Sequence, residues 1–424
     1  MERSADSAIA PATLWRHRDF MKLWIGETIS LFGSQFTFLA LPLIAAITLR
    51  ASPAEMGILS AVETAPFLLI GLFAGVWVDR RRKRPLLIAG DLGRAILLAT
   101  IPLAALAGLL TIIQLYVVGF LVGICTVFFD VAYQSYLPAL VGRDQLVEGN
   151  SKLEVSRSTA QLTGPGIAGV VIQVLTAPIA IFLDVLSFLL SGLFIGTIRR
   201  AEPVPRNGGH ASMLAEIREG LGVVFGNPYL RAIAGCTATS NFFGNVVGAL
   251  FILYATRDLG LTPAAIGIAM GLGNVGGLAG ALLAGRLANR VGIGPIIIGS
   301  ILLTSLGGLP LIIATPSTAI VMLVVSGLII GLGNTIYNIN QVSLRQAIVA
   351  QRLQGRLNAT MRFLVWGTLP LGGLVGGVLG QFLGLWPAIT IGICGGMLSF
   401  LWVLASPVRG LRRIPEPEVA DALA

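Results

Sequence analysis

Four carboxylates fall inside long apolar runs, where a charge is expensive: Glu27, Glu63, Asp130 and Asp184. Each costs ~2.5–3.5 kcal/mol in the middle of a membrane span, so each needs either a partner or a task. The task that suits a buried carboxyl group is proton exchange, because burial favours its neutral form and brings release and uptake into the working range. At 1.5 Å of rise per residue, Glu63 lies ~13 Å along its run, near the midplane, and Glu27 roughly 10 Å along the first. Asp130 sits in the last third of its run. For Asp184 the alternative to proton exchange is one end of a helix-to-helix hydrogen bond on an outer span. Asp91 and Arg94 stand three apart and are expected to neutralise each other on one helix face.

Uncharged polar residues gather on four of the runs. Asn241, Asn245, Asn334, Tyr337, Asn338, Asn340 and Gln341 lie on two of them, and Gln35, Thr37, Tyr133 and Gln134 on two others. Together they are candidates for the lining of a substrate cavity. Taken singly, each is as well explained by an interhelical hydrogen bond.

Other chemistries lack their residues. The histidines, His17 and His210, fall outside the apolar runs, so no histidine relay crosses the membrane and no hydrolytic triad can be assembled. The lysines are Lys22, Lys83 and Lys152, and none follows a glycine-rich phosphate loop, which excludes direct use of ATP. Cys125, Cys236 and Cys394 are far apart, each in an apolar run, and read as buried thiols, with no metal site expected.

The elements that carry these residues follow from composition. Of 424 residues, 55% are hydrophobic and 12% charged, about half the charged share of a soluble chain, and mean hydropathy is +0.86. Apolar runs near 22–49, 55–78, 86–109, 113–138, 157–176 and 179–198 are followed by others near 230–256, 264–288, 295–314, 318–340, 361–383 and 387–406. Each suffices for one spanning helix of ~20 residues. The expected organisation is a tail over 1–21, a six-helix bundle over 22–198, a linker over 199–228, a second bundle over 229–406 and a tail over 407–424. Within the linker, Leu214, Ile217, Leu221, Val224 and Phe225 recur at helical spacing and predict an amphipathic surface helix.

Orientation follows from the basic residues. Of 29 Lys and Arg, Arg50 and Arg257 alone fall in loops on the side away from the termini, and Arg94 lies within a span. That asymmetry predicts twelve spans with both termini cytoplasmic. The net charge of +9 is thus a matter of topology, and no nucleic-acid partner is expected.

The two halves repeat at a spacing of 210 residues. Ser52-Pro53-Ala54 with Gly57-Ile58 matches Thr262-Pro263-Ala264 with Gly267-Ile268, and Gly75, Asp79-Arg80 and Pro85 match Gly285, Asn289-Arg290 and Pro295. Six spans is an even number, so the halves run parallel about an axis along the membrane normal, the arrangement of a rocking transporter.

Gly75-Val76-Trp77-Val78-Asp79-Arg80-Arg81-Arg82-Lys83-Arg84 resembles the loop signature of the major facilitator superfamily, with Arg82 where a second glycine usually stands. Leu23-Trp24, Gly26, Ser30, Gly33, Gln35 and Leu41-Pro42 resemble the first span of its drug and siderophore exporter branch, which includes enterobactin and macrolide exporters. Tyr136-Leu137-Pro138-Ala139-Leu140-Val141, Gly164-Pro165 and Asp184 with Ser187-Phe188 are similar to the same branch. The resemblance implies the major facilitator fold, with spans 1, 4, 7 and 10 around a central cavity onto which Glu27 and Asp130 face. It makes Asp79, Arg80 and Arg84 a cytoplasmic gate, one-sided because Asn289 replaces the aspartate in the second half. Topology alone and the binding of anionic headgroups explain the same basic cluster. Gly164, Pro165 and Gly169 resemble the superfamily's antiporter motif, with Ala168 for one glycine; a plain packing seam is the alternative. The superfamily's proton-driven drug antiporters carry an arginine in span 4, and residues 115–137 contain none, so coupling here falls to the carboxylates.

The expectation is an all-α membrane protein of twelve transmembrane helices in two pseudo-symmetric bundles. It is expected to be a monomer in the inner membrane, without a cofactor, exporting an amphipathic small molecule at the expense of a proton gradient. Membrane lipid is its other partner. Import of a metabolite by symport or facilitation is one rival reading, and a non-transport scaffold or sensor the other.

Overall fold

A computed structural model describes residues 13–142, 145–200, 202 and 213–413. Among them there is no strand. The helices are α1 (Arg18–Leu43), α2 (Pro53–Leu69), α3 (Gly71–Asp79), α4 (Lys83–Leu106), α5 (Ile112–Leu140), α6 (Leu146–Leu175), α7 (Ala177–Gly196), α8 (Met213–Gly226) and α9 (Pro228–Leu253). They continue as α10 (Pro263–Val291), α11 (Ile293–Leu306), α12 (Leu309–Ile312), α13 (Ala319–Ile348), α14 (Gln354–Trp366), α15 (Thr368–Leu383), α16 (Leu385–Met397) and α17 (Phe400–Leu404). Ten helical segments among the described residues are long and apolar enough to cross a membrane. The other two expected spans coincide with α2–α3, broken at Ile70, and with α6, whose first half carries Glu148, Lys152, Glu154 and Arg157.

The internal repeat is a repeat of backbone geometry. α1 and α9 both end in a single π-helical stretch, Ile44–Thr48 and Tyr254–Asp258. Each is closed by the same hydrogen bond, Leu49 N–H to the Ile44 carbonyl at 2.9 Å and Leu259 N–H to the Tyr254 carbonyl at 3.1 Å. The chain then turns through a left-handed residue, Arg50 at φ 51° and Gly260 at φ 65°, and enters α2 and α10 through equivalent caps. Ser52 forms a capping box with Glu55, Thr262 accepts from Ala265 N–H, and proline stands in the first turn of both helices. Only glycine takes the left-handed conformation freely, so the Arg50 copy of the turn is the strained one.

Within the first half α1 packs on α6 and α7, and α4 on α5 and α7; within the second α9 packs on α15 and α16, and α13 on α10 and α11. The halves meet along two seams, α2 on α15 and α6 on α10, and both are made of glycine. A Cβ added to Gly377 would lie 2.8 Å from the Cα of Gly57, and one added to Gly169 would lie 3.0 Å from the Cα of Gly267. The hydrogen bonds joining the halves cluster toward the face opposite the termini, here called the far face. Arg257 holds the Ala51 carbonyl at 2.8 Å and the Ala46 carbonyl at 3.4 Å, Gln173 accepts from Ala264 N–H, and Asn274 donates to the Gln161 carbonyl at 2.6 Å. Toward the terminal face the same helices present exposed charges, Glu154 and Arg157 on α6 and Arg286 and Arg290 on α10.

Two expectations change. The predicted surface helix is α8, but it is docked on the second bundle: Val224 is fully buried, Gly220 lies against Thr360, and Glu219 pairs with Arg356. The thiols are not uniformly buried. Cys236 is, Cys125 is half-buried and Cys394 is exposed, because an apolar helix in lipid has no polar face to mark its outside.

If the glycine seams seal the far face, a side chain in one of them will unseal it. A cysteine replacing Thr64, in protein lacking the three native cysteines, is expected to resist an impermeant maleimide added at the far face. Gly377→Val is expected to raise that reaction rate about tenfold, as a shift of ~1.4 kcal/mol in the opening equilibrium would; an unchanged rate would show that the seam is no seal.

Candidate functional site

Between the bundles lies a chamber of about 600 Å3. α1 contributes Phe38 and Pro42, α2 contributes Met56, Ser60, Glu63 and Thr64, and α9 contributes Asn245 and Phe251. Besides α9, the second half contributes Met270 and Asn274 of α10 and Ser326 and Asn334 of α13. The remainder is aliphatic or glycine. Among the described residues that line it, Glu63 is the one with a charge, and its carboxylate accepts no hydrogen bond from any of them. A hydrophobic volume with a few convergent polar groups and one acid is the form of a small-molecule site.

Local structure places Glu63 there. It stands on α2 ten residues after Pro53, and its stem lies against Gly119 of α5, where a Cβ would come 3.1 Å from the Glu63 Cγ. The next residue, Thr64, bonds back to the Ser60 carbonyl at 2.8 Å. Asn245 donates to the Ser60 hydroxyl at 3.1 Å and to the Leu369 carbonyl at 2.6 Å, tying α9 to both α2 and α15. On the terminal side of the chamber Phe67 and Trp366 meet edge to face, 5.0 Å between centroids.

The other carboxylates are placed differently. Glu27 is 6% exposed and does not line the chamber; its Oε2 has no hydrogen-bond partner among the described residues. Asp91 and Arg94 form the expected ion pair at 2.6 Å, fully inside the first bundle, with the guanidinium sandwiched between Phe129 at 4.3 Å and Phe188 at 4.1 Å. Asp184 accepts from the Thr37 hydroxyl on α1 and from Ser187 at 2.9 Å, which is the helix-to-helix hydrogen bond. Asp130 lies on α5, half-buried and outside the chamber wall.

Of the polar residues expected around a cavity, Asn245 and Asn334 line the chamber. Tyr337 is 2% exposed and shares a 2.7 Å hydrogen bond with Thr237, inside the second bundle. Asn241 donates to the Val365 carbonyl at 3.2 Å. Asn338 accepts from Gln341, which in turn accepts from Arg345. Tyr133 stacks on Phe129, its hydroxyl without a hydrogen-bond partner among the described residues; Gln134 is exposed, and Gln35 lies against Gly164 of α6. Asn274 is absent from the expected lining, although an asparagine inside the glycine-rich stretch 271–280 is a visible signal.

Asp79 ends α3, and its side chain lies outside the described residues. Arg80 is exposed at the cap of the same helix. Arg84 is bound within its own half, donating to the Ile195 carbonyl at 3.2 Å and to the Gly196 carbonyl. Gly164, Pro165 and Gly169 lie on α6, with Pro165 and Gly169 facing Gly267 across the seam between the halves.

Known proteins resemble this chain along most of its length. The family model of the Major Facilitator Superfamily matches residues 23–368 and, in a second alignment, 233–422. The multidrug efflux pump Tap of Mycolicibacterium fortuitum is 28% identical over 371 residues, covering 83% of this chain and 87% of that protein. Macrolide efflux protein A of Streptococcus pyogenes is 25% identical over 361 residues, with 83% and 87% covered. Among solved structures, a bacterial homologue of the iron transporter ferroportin in its inward-facing state superposes with a TM-score of 0.72 at 17% identity, covering 92% of this chain and 98% of that one. The nucleoside transporter NupG gives 0.68 at 15% identity, covering 91% and 98%.

Two of the buried acids of the first bundle, Asp91 and Glu27, should differ under substitution. Arg94→Leu strands Asp91 without its partner and is expected to cost ~3–5 kcal/mol, seen as a large drop in the thermal midpoint of purified protein. Glu27→Gln removes a buried carboxylate with an unpartnered oxygen and is expected to hold or raise the midpoint. A drop with Glu27→Gln as large as that of Arg94→Leu would overturn this assignment.

Proposed function

The chain belongs to the major facilitator superfamily, and we propose that it is a secondary active transporter that exports an amphipathic small molecule in exchange for protons. The observation that carries the proposal is the chamber: both halves wall it, its surface is mostly apolar, and Glu63 is the charged group in it. The efflux pumps among its relatives support the outward direction.

In this account the terminal face is cytoplasmic, as the distribution of Arg and Lys argues. The chamber, closed toward the far face, receives substrate from the cytoplasmic leaflet or the cytosol. Glu63 holds a proton when the chamber lacks a cationic or hydrogen-bonding guest, and gives it up when one binds. Its charge state biases the two-state equilibrium of the halves. Glu27, in the first bundle, is the second coupling candidate, since a carboxyl oxygen without a partner is most comfortable protonated. Asp79, Arg80 and Arg84 form the cytoplasmic gate in the alternate state. Release to the far face requires the Gly57–Gly377 and Gly169–Gly267 seams to part and Arg257 to leave the Ala46 and Ala51 carbonyls.

The test is accumulation of fluorescent dyes and antibiotics in efflux-deficient cells expressing the chain, with and without a protonophore. Expression is expected to lower accumulation of at least one amphipathic compound. The protonophore and Glu63→Gln are each expected to return it to the level of cells without the protein. Accumulation unchanged or raised across the panel would contradict export, and lowered accumulation indifferent to the protonophore would contradict proton coupling.

A further inference from the structure

The basic residues around the start of α4 form a groove of about 530 Å3 between α4 and the end of α7. Arg82, Arg84, Arg199 and Arg200 surround its mouth together with one acid, Glu202, and Pro85, Ile88, Ala89 and Leu92 floor it. From Arg82 to Leu92 is ~15 Å along the helix. The floor continues on the lipid-facing flank, where Ile96 is 67% and Leu193 of α7 64% exposed.

Glu202 in the wall and Asp19 nearby both have backbone partners. Glu202 caps α4, accepting from Lys83 N–H at 2.5 Å and Arg84 N–H at 3.2 Å. Asp19 accepts from the N–H groups of Arg199 and Arg200 at 3.3 and 3.0 Å. Both carboxylates therefore face backbone donors and not the guanidinium groups. Two of the arginines are held in place by carbonyls, Arg84 on Ile195 and Gly196, and Arg200 on Leu140 at 2.8 Å. Arg82 and Arg199 are exposed, with no carboxylate in ion-pair range among the described residues.

We propose that this groove is a binding site for one anionic phospholipid of the surrounding leaflet, its phosphate on the arginines and an acyl chain along Ile88, Ala89 and Leu92. Guanidinium forks match phosphate oxygens in pairs, and basic pockets between transmembrane helices suit acidic headgroups. The apolar floor, deeper than a headgroup, selects a lipid over a soluble phosphate. A lipid seated there bridges α4 to α7 and steadies the loop before α4, which carries Arg80.

Native mass spectrometry of delipidated full-length protein, titrated with phosphatidylglycerol, tests this. Wild-type protein is expected to retain one phosphatidylglycerol well above phosphatidylethanolamine. The double variant Arg82→Ala/Arg199→Ala is expected to bind it about thirtyfold more weakly, from ~1 kcal/mol per arginine. Ala89→Trp, which fills the floor and leaves every charge, is expected to weaken it as well. Arg286→Ala/Arg290→Ala, a basic pair on α10, is expected to leave it unchanged. Equal retention in wild type and the groove variants, or equal loss in the α10 variant, would overturn the proposal. Displacement of the lipid by inorganic phosphate or glycerol phosphate would also overturn it, by showing an anion site indifferent to the chain.

Discussion

The halves of this protein touch backbone to backbone. In hydrocarbon there is no water for helices to escape from, so association depends on close packing and on the few hydrogen bonds that survive there. Gly57 against Gly377 and Gly169 against Gly267 bring α2 to α15 and α6 to α10 closer than any side chain would allow. A chamber sealed by such seams needs no ion pair to stay shut. It can also part without leaving charges stranded in lipid, since what is lost is mostly van der Waals contact. Arg257 is the exception, and its partners are the carbonyls of Ala46 and Ala51 between α1 and α2, close to the far face where water can replace it.

That arrangement sorts the acidic residues. Asp91 is paired to Arg94, and Asp184 is bonded to Thr37 and Ser187; both are settled within one bundle and gain nothing from a change of state. Glu63 stands in the chamber wall on a helix that also forms a seam, so its charge and the contact between the halves act on the same element. Glu27 lies between these extremes, buried in the first bundle with no ion-pair partner among the described residues and with Oε2 unpartnered, as Oδ2 of Asp91 also is.

Much of this is legible from residue types and spacing. The match of Ser52-Pro53 with Thr262-Pro263 reappears as paired π-helical ends, left-handed turns and N-caps, because cap and turn chemistry is local and survives any packing. Glu63 is legible because a carboxylate in an apolar run is costly wherever it points. Which way a side chain faces is not. A helix with lipid on one side and bundle interior on the other is apolar all round, so periodicity carries no signal. Tyr337, expected at the cavity, therefore lies inside a bundle, while Cys394, expected in the interior, lies outside. The grip of Arg257 on two carbonyls of the other half cannot be read at all, since backbone acceptors leave no mark in a sequence.

The most direct test of the central claim, one chamber served from two sides by a proton-driven change, is transport by the purified protein in vesicles with an imposed pH difference as the sole energy source. The account predicts that a lipophilic cationic dye accumulates in the lumen when the lumen is acidic, and leaves again when an ionophore collapses the gradient. Equilibration to the same level with and without the gradient would contradict it, leaving a facilitator.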